Sequence, residues 1–169
     1  TPSQSSAASD VYKRQIDGSN EFIIVATTRP ETMFGDMAIA VNPNDSRYKS
    51  LIGKYALLPF VGRKLPIIGD EYVDIDFGTG CLKITPGHDF NDYEIGKKYS
   101  LHEKNNVVLS SKNINDFEPI NIFTDEAWTN NNVPEPFANL DRFKVRKLVI
   151  EKLTKLKLLV KEEAYEISV

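Results

Sequence analysis

Apolar positions along the chain fall in short runs closed by glycine, proline or Asn/Asp clusters, a pattern that predicts many short strands and few helices. Phe22-Ile23-Ile24-Val25-Ala26 is continuous and rich in β-branched residues, which predicts a strand buried on both faces. Met33-Phe34-Gly35 reads as an apolar turn, and Asp36 to Val41 as a strand stopped by Asn42-Pro43-Asn44-Asp45. Ser46 to Ile52 predicts a short helix closed by Gly53. Tyr55–Phe60, Leu65–Ile68 and Tyr72–Ile75 are further strands, separated by turn residues that imply mostly antiparallel pairing, with Pro66 at a strand start or edge. Cys81 to Thr85 alternates like a strand until Pro86-Gly87, and Tyr93-Glu94-Ile95 opens a helix. Val107-Val108-Leu109 and Ile120 to Phe123 are strand candidates, Trp128 is expected to pack on the core, and Glu162 to Ile167 is a final strand. From Asp141, a good N-cap, to about Val160 runs one long helix with Val145, Val149, Leu153, Leu156 and Val160 as its buried stripe. The sum is an α/β fold, a barrel-like, mostly antiparallel curved sheet with peripheral helices.

Residues 1–15 are rich in Ser and Ala and lack periodicity, so they are expected to be a disordered segment or remnant outside the fold; residues 16–169 are expected to be a single domain. With 169 residues, 41% of them hydrophobic, the chain is long enough to bury a sizeable core. Lys and Arg number 21 against 24 Asp and Glu, a net charge of -3, which excludes a generally basic nucleic-acid binder and confines any polyanion contact to a local surface. The single cysteine, Cys81, excludes an internal disulfide and fits a reducing compartment. With no membrane-length apolar run and no signal peptide in view, the expectation is a soluble, cytoplasmic protein that meets no membrane.

Chemistry-bearing residues concentrate between Asp76 and Tyr93, D-F-G-T-G-C-L-K-I-T-P-G-H-D-F-N-D-Y. A strand end, a tight turn and a helix start bring Lys83, His88, Asp89 and Asp92 within reach of one point, and Asp89 and Asp92 share a helix face. Helix capping alone accounts for the Asp-x-Asn-Asp cluster; two acceptors for an ammonium group or a hydroxyl are the other reading. The Thr27-Thr28-Arg29-Pro30-Glu31-Thr32 stretch leaves a strand end with hydroxyls, a guanidinium and exposed backbone, or is simply a polar turn with Pro at the first helical position. Other chemistries find no support. His88, His102 and Cys81 lack metal-ligand spacing, Gly78-Thr79-Gly80 lacks the Gly-Lys-Ser/Thr of a phosphate loop, and no Gly-x-Ser-x-Gly is present. Carboxylates three apart on one turn do not flank a sugar bond.

Taken together and in order, Ala26 to Thr32, Asn42-Pro43-Asn44-Asp45, Leu51-Ile52-Gly53-Lys54, Gly62-Arg63 with Pro66-Ile67-Ile68, Gly78-Thr79-Gly80 and Thr85 to Glu94 resemble the editing domains inserted into class I aminoacyl-tRNA synthetases. The Thr-Arg-Pro-Glu-Thr form with His-Asp-x-Asn-Asp is most similar to the valyl branch, ahead of its isoleucyl and leucyl siblings. No His-Ile-Gly-His or Lys-Met-Ser-Lys-Ser element of the activation domain occurs, so the resemblance implies an editing module without an aminoacylation site, with ATP needed only by the parent catalytic domain and no cofactor here.

The implied reaction is hydrolysis of the threonyl ester at the 3′ end of valine tRNA. An apolar activation pocket built for valine rejects threonine only weakly, the standard illustration of double-sieve selection, so a second site must find the hydroxyl. By resemblance Asp92 holds the substrate α-ammonium, Lys83 and Asp89 meet the side-chain hydroxyl, Thr27, Thr28 and Thr32 shape the opposite wall, and Arg29 faces the terminal adenosine or a phosphate. Asp89, His88 and the tRNA ribose hydroxyl are the candidates for general base. The implied partners are the tRNA 3′ end and the rest of the parent synthetase in cis. The alternatives are a docking module for the tRNA end that does not hydrolyse, and editing for a sibling tRNA. The basic face of the long helix, Arg142, Lys144, Arg146, Lys147, Lys152, Lys155 and Lys157, reads either as a solvated surface or as a tRNA-facing strip.

Overall fold

The structure, a computed structural model, describes residues 10–102 and 117–161. Strand β1 (Asp10–Gln15) pairs antiparallel with β2 (Phe22–Thr27) on one side and with β7 (Leu159–Lys161) on the other, giving a sheet of order β2-β1-β7. A second sheet has the order β4-β5-β3-β6, from β3 (Ala38–Val41), β4 (Tyr55–Leu57), β5 (Lys64–Gly69) and β6 (Cys81–Ile84). An isolated bridge between Ile16 and Ala56 joins the sheets at one corner, and the Thr79 hydroxyl donates to the Ile24 carbonyl at 2.7 Å beside β6. Among the described residues the strands form two sheets and no closed barrel, so the architecture is mixed α/β with few helices.

β1 corrects the expected start of the fold. Its alternation is real, but the inward positions are Asp10, Tyr12 and Arg14, so a hydrophobic pattern does not reveal them. Tyr12 donates to Asp10 at 3.1 Å, and the Arg14 guanidinium is ion-paired with Asp36 Oδ2 at 3.9 Å, with Arg14 Nε and Asp36 Oδ2 making no hydrogen bond among the described residues. β2 buries one face only, through Ile23 and Val25, while Phe22 is exposed. Among the described residues four of the five strand pairs are antiparallel, in line with the mostly antiparallel expectation; that of β3 with β5 is parallel, and Pro66 lies inside β5, an interior strand rather than a start or edge. It is tolerated because the ladder to β3 begins at Ile67, so the missing N–H interrupts no bond there.

Tyr72 to Ile75 forms no strand. The Asp70 and Asp74 carboxylates take the backbone N–H of Tyr72 at 2.8 Å and of Asp76 at 2.9 Å, and these side-chain turns replace a ladder. Pro30–Gly35 is a fully buried 3-10 helix with Pro at its start, and the helix expected over 46–52 shrinks to a 3-10 turn at Lys49–Leu51. Phe123 makes an isolated bridge to Thr129 rather than a strand, and Trp128 is exposed, not packed on the core. The strand candidates at 107–109 and 162–167 lie outside the described residues.

Helix α1 (Phe90–Lys98) is capped by Asp89, and α2 (Arg142–Lys155) by Asp141, whose carboxylate accepts from Phe143 and Lys144 N–H. α2 buries Val145, Val149 and Leu153, but it ends before Leu156, and Leu156 and Val160 are exposed. Lys157, at φ 61, turns the chain into β7. The core lies where the all-buried β3 meets Ile23, Val25, Phe34, Ile84, Val145 and Val149.

Candidate functional site

A pocket of about 130 Å³ opens where the end of β2 meets β6 and the start of α1. One wall is Ala26, Thr27, Thr28, Arg29 and Thr32, another Phe77, Gly78, Thr79, Cys81 and Leu82, and a third Lys83, Thr85, His88, Asp89 and Asp92. Every residue singled out by the sequence for the site lines this one pocket. Two glycines give the walls their shape. Gly80 turns at φ +81 with Arg47 packed against its Cα, and a side chain on Gly87 would overlap the Ile120 carbonyl oxygen.

Asp89 caps α1 by accepting the Asp92 N–H on Oδ1 at 3.0 Å, so the capping reading holds for that residue. Asp92 sits one turn further in, 6% exposed, and its Oδ2 accepts the Thr85 N–H at 2.9 Å. Burial, with the nearby Asp89 and Asp36 charges adding to it, pushes the Asp92 carboxyl up to about 7; the Thr85 N–H and the Lys83 charge oppose the shift.

Lys83 reaches the pocket, yet its ammonium is engaged by the protein: it donates to Thr85 Oγ1 at 2.6 Å, Asp36 Oδ1 at 3.0 Å and Thr32 Oγ1 at 3.2 Å. An ammonium has three protons, so none is left over for a substrate hydroxyl in this arrangement. His88 is likewise occupied. Its Nε2 accepts the Ile122 N–H at 3.0 Å, which places the ring proton on Nδ1, and its ring edge meets Phe123. Burial, reinforced by Arg29 and Lys83, lowers the imidazole to about 4. The Nε2 lone pair that a general base would use is therefore engaged by backbone in this arrangement, and His88 pins the 120–122 segment.

Arg29 joins the two motifs by donating to the His88 carbonyl at 3.0 Å, with its guanidinium half-exposed at the rim. The Thr27 hydroxyl accepts the Arg29 N–H at 2.9 Å, and the Thr28 carbonyl is held by Arg146 of α2. Arg146 also faces the buried Glu31 carboxylate at 3.6 Å. Burial pushes the Cys81 thiol up to about 11, which keeps it in the neutral thiol form near pH 7. Among the described residues no group of three or more His, Cys, Asp or Glu side chains could hold a metal ion, and no helix is long and apolar enough to cross a membrane.

Sequence reasoning missed the groups behind the walls: Asp36, Arg14, Glu31 and Arg146. Asp36 opens an apolar strand and is 0% exposed, a conspicuous position for a carboxylate, but nothing in the sequence names its partners. Arg14 falls in the segment expected to lie outside the fold.

A family model described as "Leucyl-tRNA synthetase, editing domain" matches residues 44–154. The valine--tRNA ligase of Pelagibacter ubique is 50% identical over 148 residues, 88% of this chain and 15% of that protein. Its counterpart in Francisella tularensis is 45% identical over 181 residues, 99% of this chain and 18% of that protein. The Neisseria gonorrhoeae enzyme is 53% identical over 137 residues, 81% of this chain and 14% of its own length. This chain thus spans less than a fifth of these curated relatives. Among solved structures, the crystal structure of GlLeuRS-CP1 matches with a TM-score of 0.66 over 96% of this chain and 100% of that chain; at 14% identity the likeness is one of fold.

Proposed function

Because the chain belongs to the editing-domain family of class I aminoacyl-tRNA synthetases, and to its valyl type, we propose that its pocket hydrolyses the ester of threonine mischarged onto the 3′ end of valine tRNA. The observation that supports this most is the buried Asp92 carboxylate on a pocket lined with hydroxyls. Its Oδ2 is used by the Thr85 N–H, and among the described residues its Oδ1 carries no hydrogen bond. A buried carboxylate with an open oxygen is costly unless a cation completes it, and the substrate α-ammonium is such a cation. Binding it fixes the ester relative to the rest of the pocket.

Aminoacyl esters are activated already, so a positioned water and the substrate's own ribose hydroxyls carry the reaction without a covalent intermediate or cofactor. With His88 engaged by Ile122, Asp89 is the protein group left to orient that water: its Oδ1 caps α1 and Oδ2 remains. The exposed Arg29 guanidinium at the rim is suited to the terminal nucleotide's phosphate. The tRNA and the remainder of the synthetase are the proposed partners.

Single-turnover deacylation of threonyl-tRNA and valyl-tRNA, both on valine tRNA, tests the reading. Threonine should be lost faster than valine. Asp92→Ala should slow the threonyl reaction by roughly 10- to 150-fold, the equivalent of one charge-assisted hydrogen bond. Wild-type kinetics from Asp92→Ala would remove Asp92 from the site. Tight binding of a non-hydrolysable threonyl-adenosine analogue with no turnover of either ester would replace hydrolysis with docking of the tRNA end.

A further inference from the structure

One fully buried carboxylate beneath the pocket has no part in the reaction as described. Asp36 is 0% exposed; its Oδ1 accepts from Lys83 Nζ at 3.0 Å and from the Thr85 hydroxyl at 2.7 Å, and its Oδ2 faces the Arg14 guanidinium at 3.9 Å. Lys83 gives its other two protons to Thr32 and Thr85. The Thr32 hydroxyl in turn donates its own proton to the Arg29 carbonyl at 2.8 Å. A hydroxyl has one proton and two lone pairs. Thr32 and Thr85, both on the pocket wall, have each spent the proton and one lone pair on the protein, and each keeps one acceptor lone pair.

Resting on the editing reading, we propose that Asp36 is a positioning residue that sets the hydrogen-bond polarity of the pocket floor. By taking the Thr85 proton and anchoring Lys83, it makes the floor an acceptor, so the pocket selects an amino-acid side chain that donates. The threonine hydroxyl donates. The valine methyl and an O-methylated threonine do not, and either leaves a buried acceptor unpaired. Arg14 holds Asp36 from behind, balancing a carboxylate that Lys83 alone would otherwise face.

The test uses the full chain and three esters on valine tRNA: threonyl, valyl and O-methylthreonyl. The unaltered chain should deacylate the threonyl ester about tenfold or more faster than the O-methylthreonyl ester; equal rates overturn the proposal without needing any variant. Asp36→Leu paired with Arg14→Met, which preserves the net charge of the cluster, should lower the threonyl-to-valyl rate ratio about tenfold or more. Asp36→Asn with Arg14→Met keeps an acceptor oxygen and should restore part of the ratio, with KM for the threonyl ester little changed because Asp92 is intact. In proton NMR the Thr85 hydroxyl should be protected from exchange in the unaltered chain, and that protection should be lost in the Asp36→Leu variant. A ratio within about twofold of the original in that variant, with the threonyl ester still hydrolysed, overturns the role of Asp36 and leaves editing standing. No hydrolysis of any ester by the unaltered chain overturns the editing reading and this inference with it.

Discussion

Asp92 and His88 are neighbours in the pocket whose titrations pull stability in opposite directions. The Asp92 carboxyl, raised to about 7, binds its proton more tightly in the folded chain than the ordinary carboxylate does. Between about pH 4 and 7 the folded state therefore holds the extra proton, and this residue makes stability fall as pH rises. His88, lowered to about 4, is neutral in the fold while an unfolded imidazole is already protonated below its usual 6.5. Its contribution is full above that value and is lost as pH falls towards 4, so it makes stability rise with pH over nearly the same window. The two slopes oppose each other. Asp92→Asn keeps an oxygen for the Thr85 N–H and removes the costly charge, so it should be more stable than the original at pH 8, by at most roughly 4 kcal/mol. At pH 4, where both forms are neutral, the difference should vanish, and the variant should show the unopposed His88 rise between them. Urea titrations at both pH values check this; a variant less stable at pH 8 would mean that Asp92 is stabilised by contacts other than the Thr85 N–H. Stabilisation together with loss of deacylation would identify Asp92 as a residue kept for chemistry at a cost in stability.

At the scale of elements, the site is a first motif on the β2 end and a second on the β6–α1 turn, brought face to face by Arg29 and braced from behind by α2. Arg146 binds the Thr28 carbonyl and faces Glu31, a carboxylate whose Oε1 has no hydrogen bond. Arg146→Met should leave α2 helical, since Asp141 still caps it and Val145, Val149 and Leu153 still bury it. It should free the Thr27–Thr32 loop, costing about 1 kcal/mol of stability because the guanidinium is partly exposed, and raising KM for the threonyl ester more than it lowers kcat. A double-mutant cycle with Glu31→Gln measures the coupling, and a coupling of zero would make the α2 brace a contact without energetic content. The same elements explain what could be read from the chain beforehand. Polar residues between short apolar runs reveal which side chains gather at a loop, because turn chemistry is local: Asp89 as cap and Gly80 as turn needed no partner to be recognised. Arg14, Asp36, Glu31 and Arg146 brace the site through partners far away in sequence, Arg14 with Asp36, Asp36 with Lys83 and Arg146 with Glu31 and Thr28, and a polar residue on an inward strand position looks like any polar residue until its partner is known. The parallel β3–β5 pairing and the side-chain turns at Asp70 and Asp74 escaped for the same reason, being decided by tertiary packing and by side-chain bonds that outcompete a ladder.

At the scale of the whole molecule, a net charge of -3 repels a tRNA at long range, so useful binding depends on where the cations lie. The Arg146 bond to Thr28 holds α2 against the loop that forms one pocket wall, and Lys144 and Lys147, close to Arg146 in the helix, are exposed. A solvated charged face and a tRNA-facing strip differ in their response to salt. If the acceptor end of the tRNA runs along this helix, each phosphate neutralised releases counterions, and log K for tRNA falls with log salt by about 0.7 to 0.9 per contact. Single-turnover deacylation of threonyl-tRNA at subsaturating enzyme should then weaken steeply with salt. A threonyl-adenosine ester, which has no tRNA backbone, should hardly respond. Lys144→Gln with Lys147→Gln should flatten the tRNA slope by about 1 to 2 and leave the small ester untouched, because neither lysine lines the pocket. An unchanged slope in that variant would assign the face to solvent and move the tRNA path to the other rim of the pocket, where the exposed Phe77 lies.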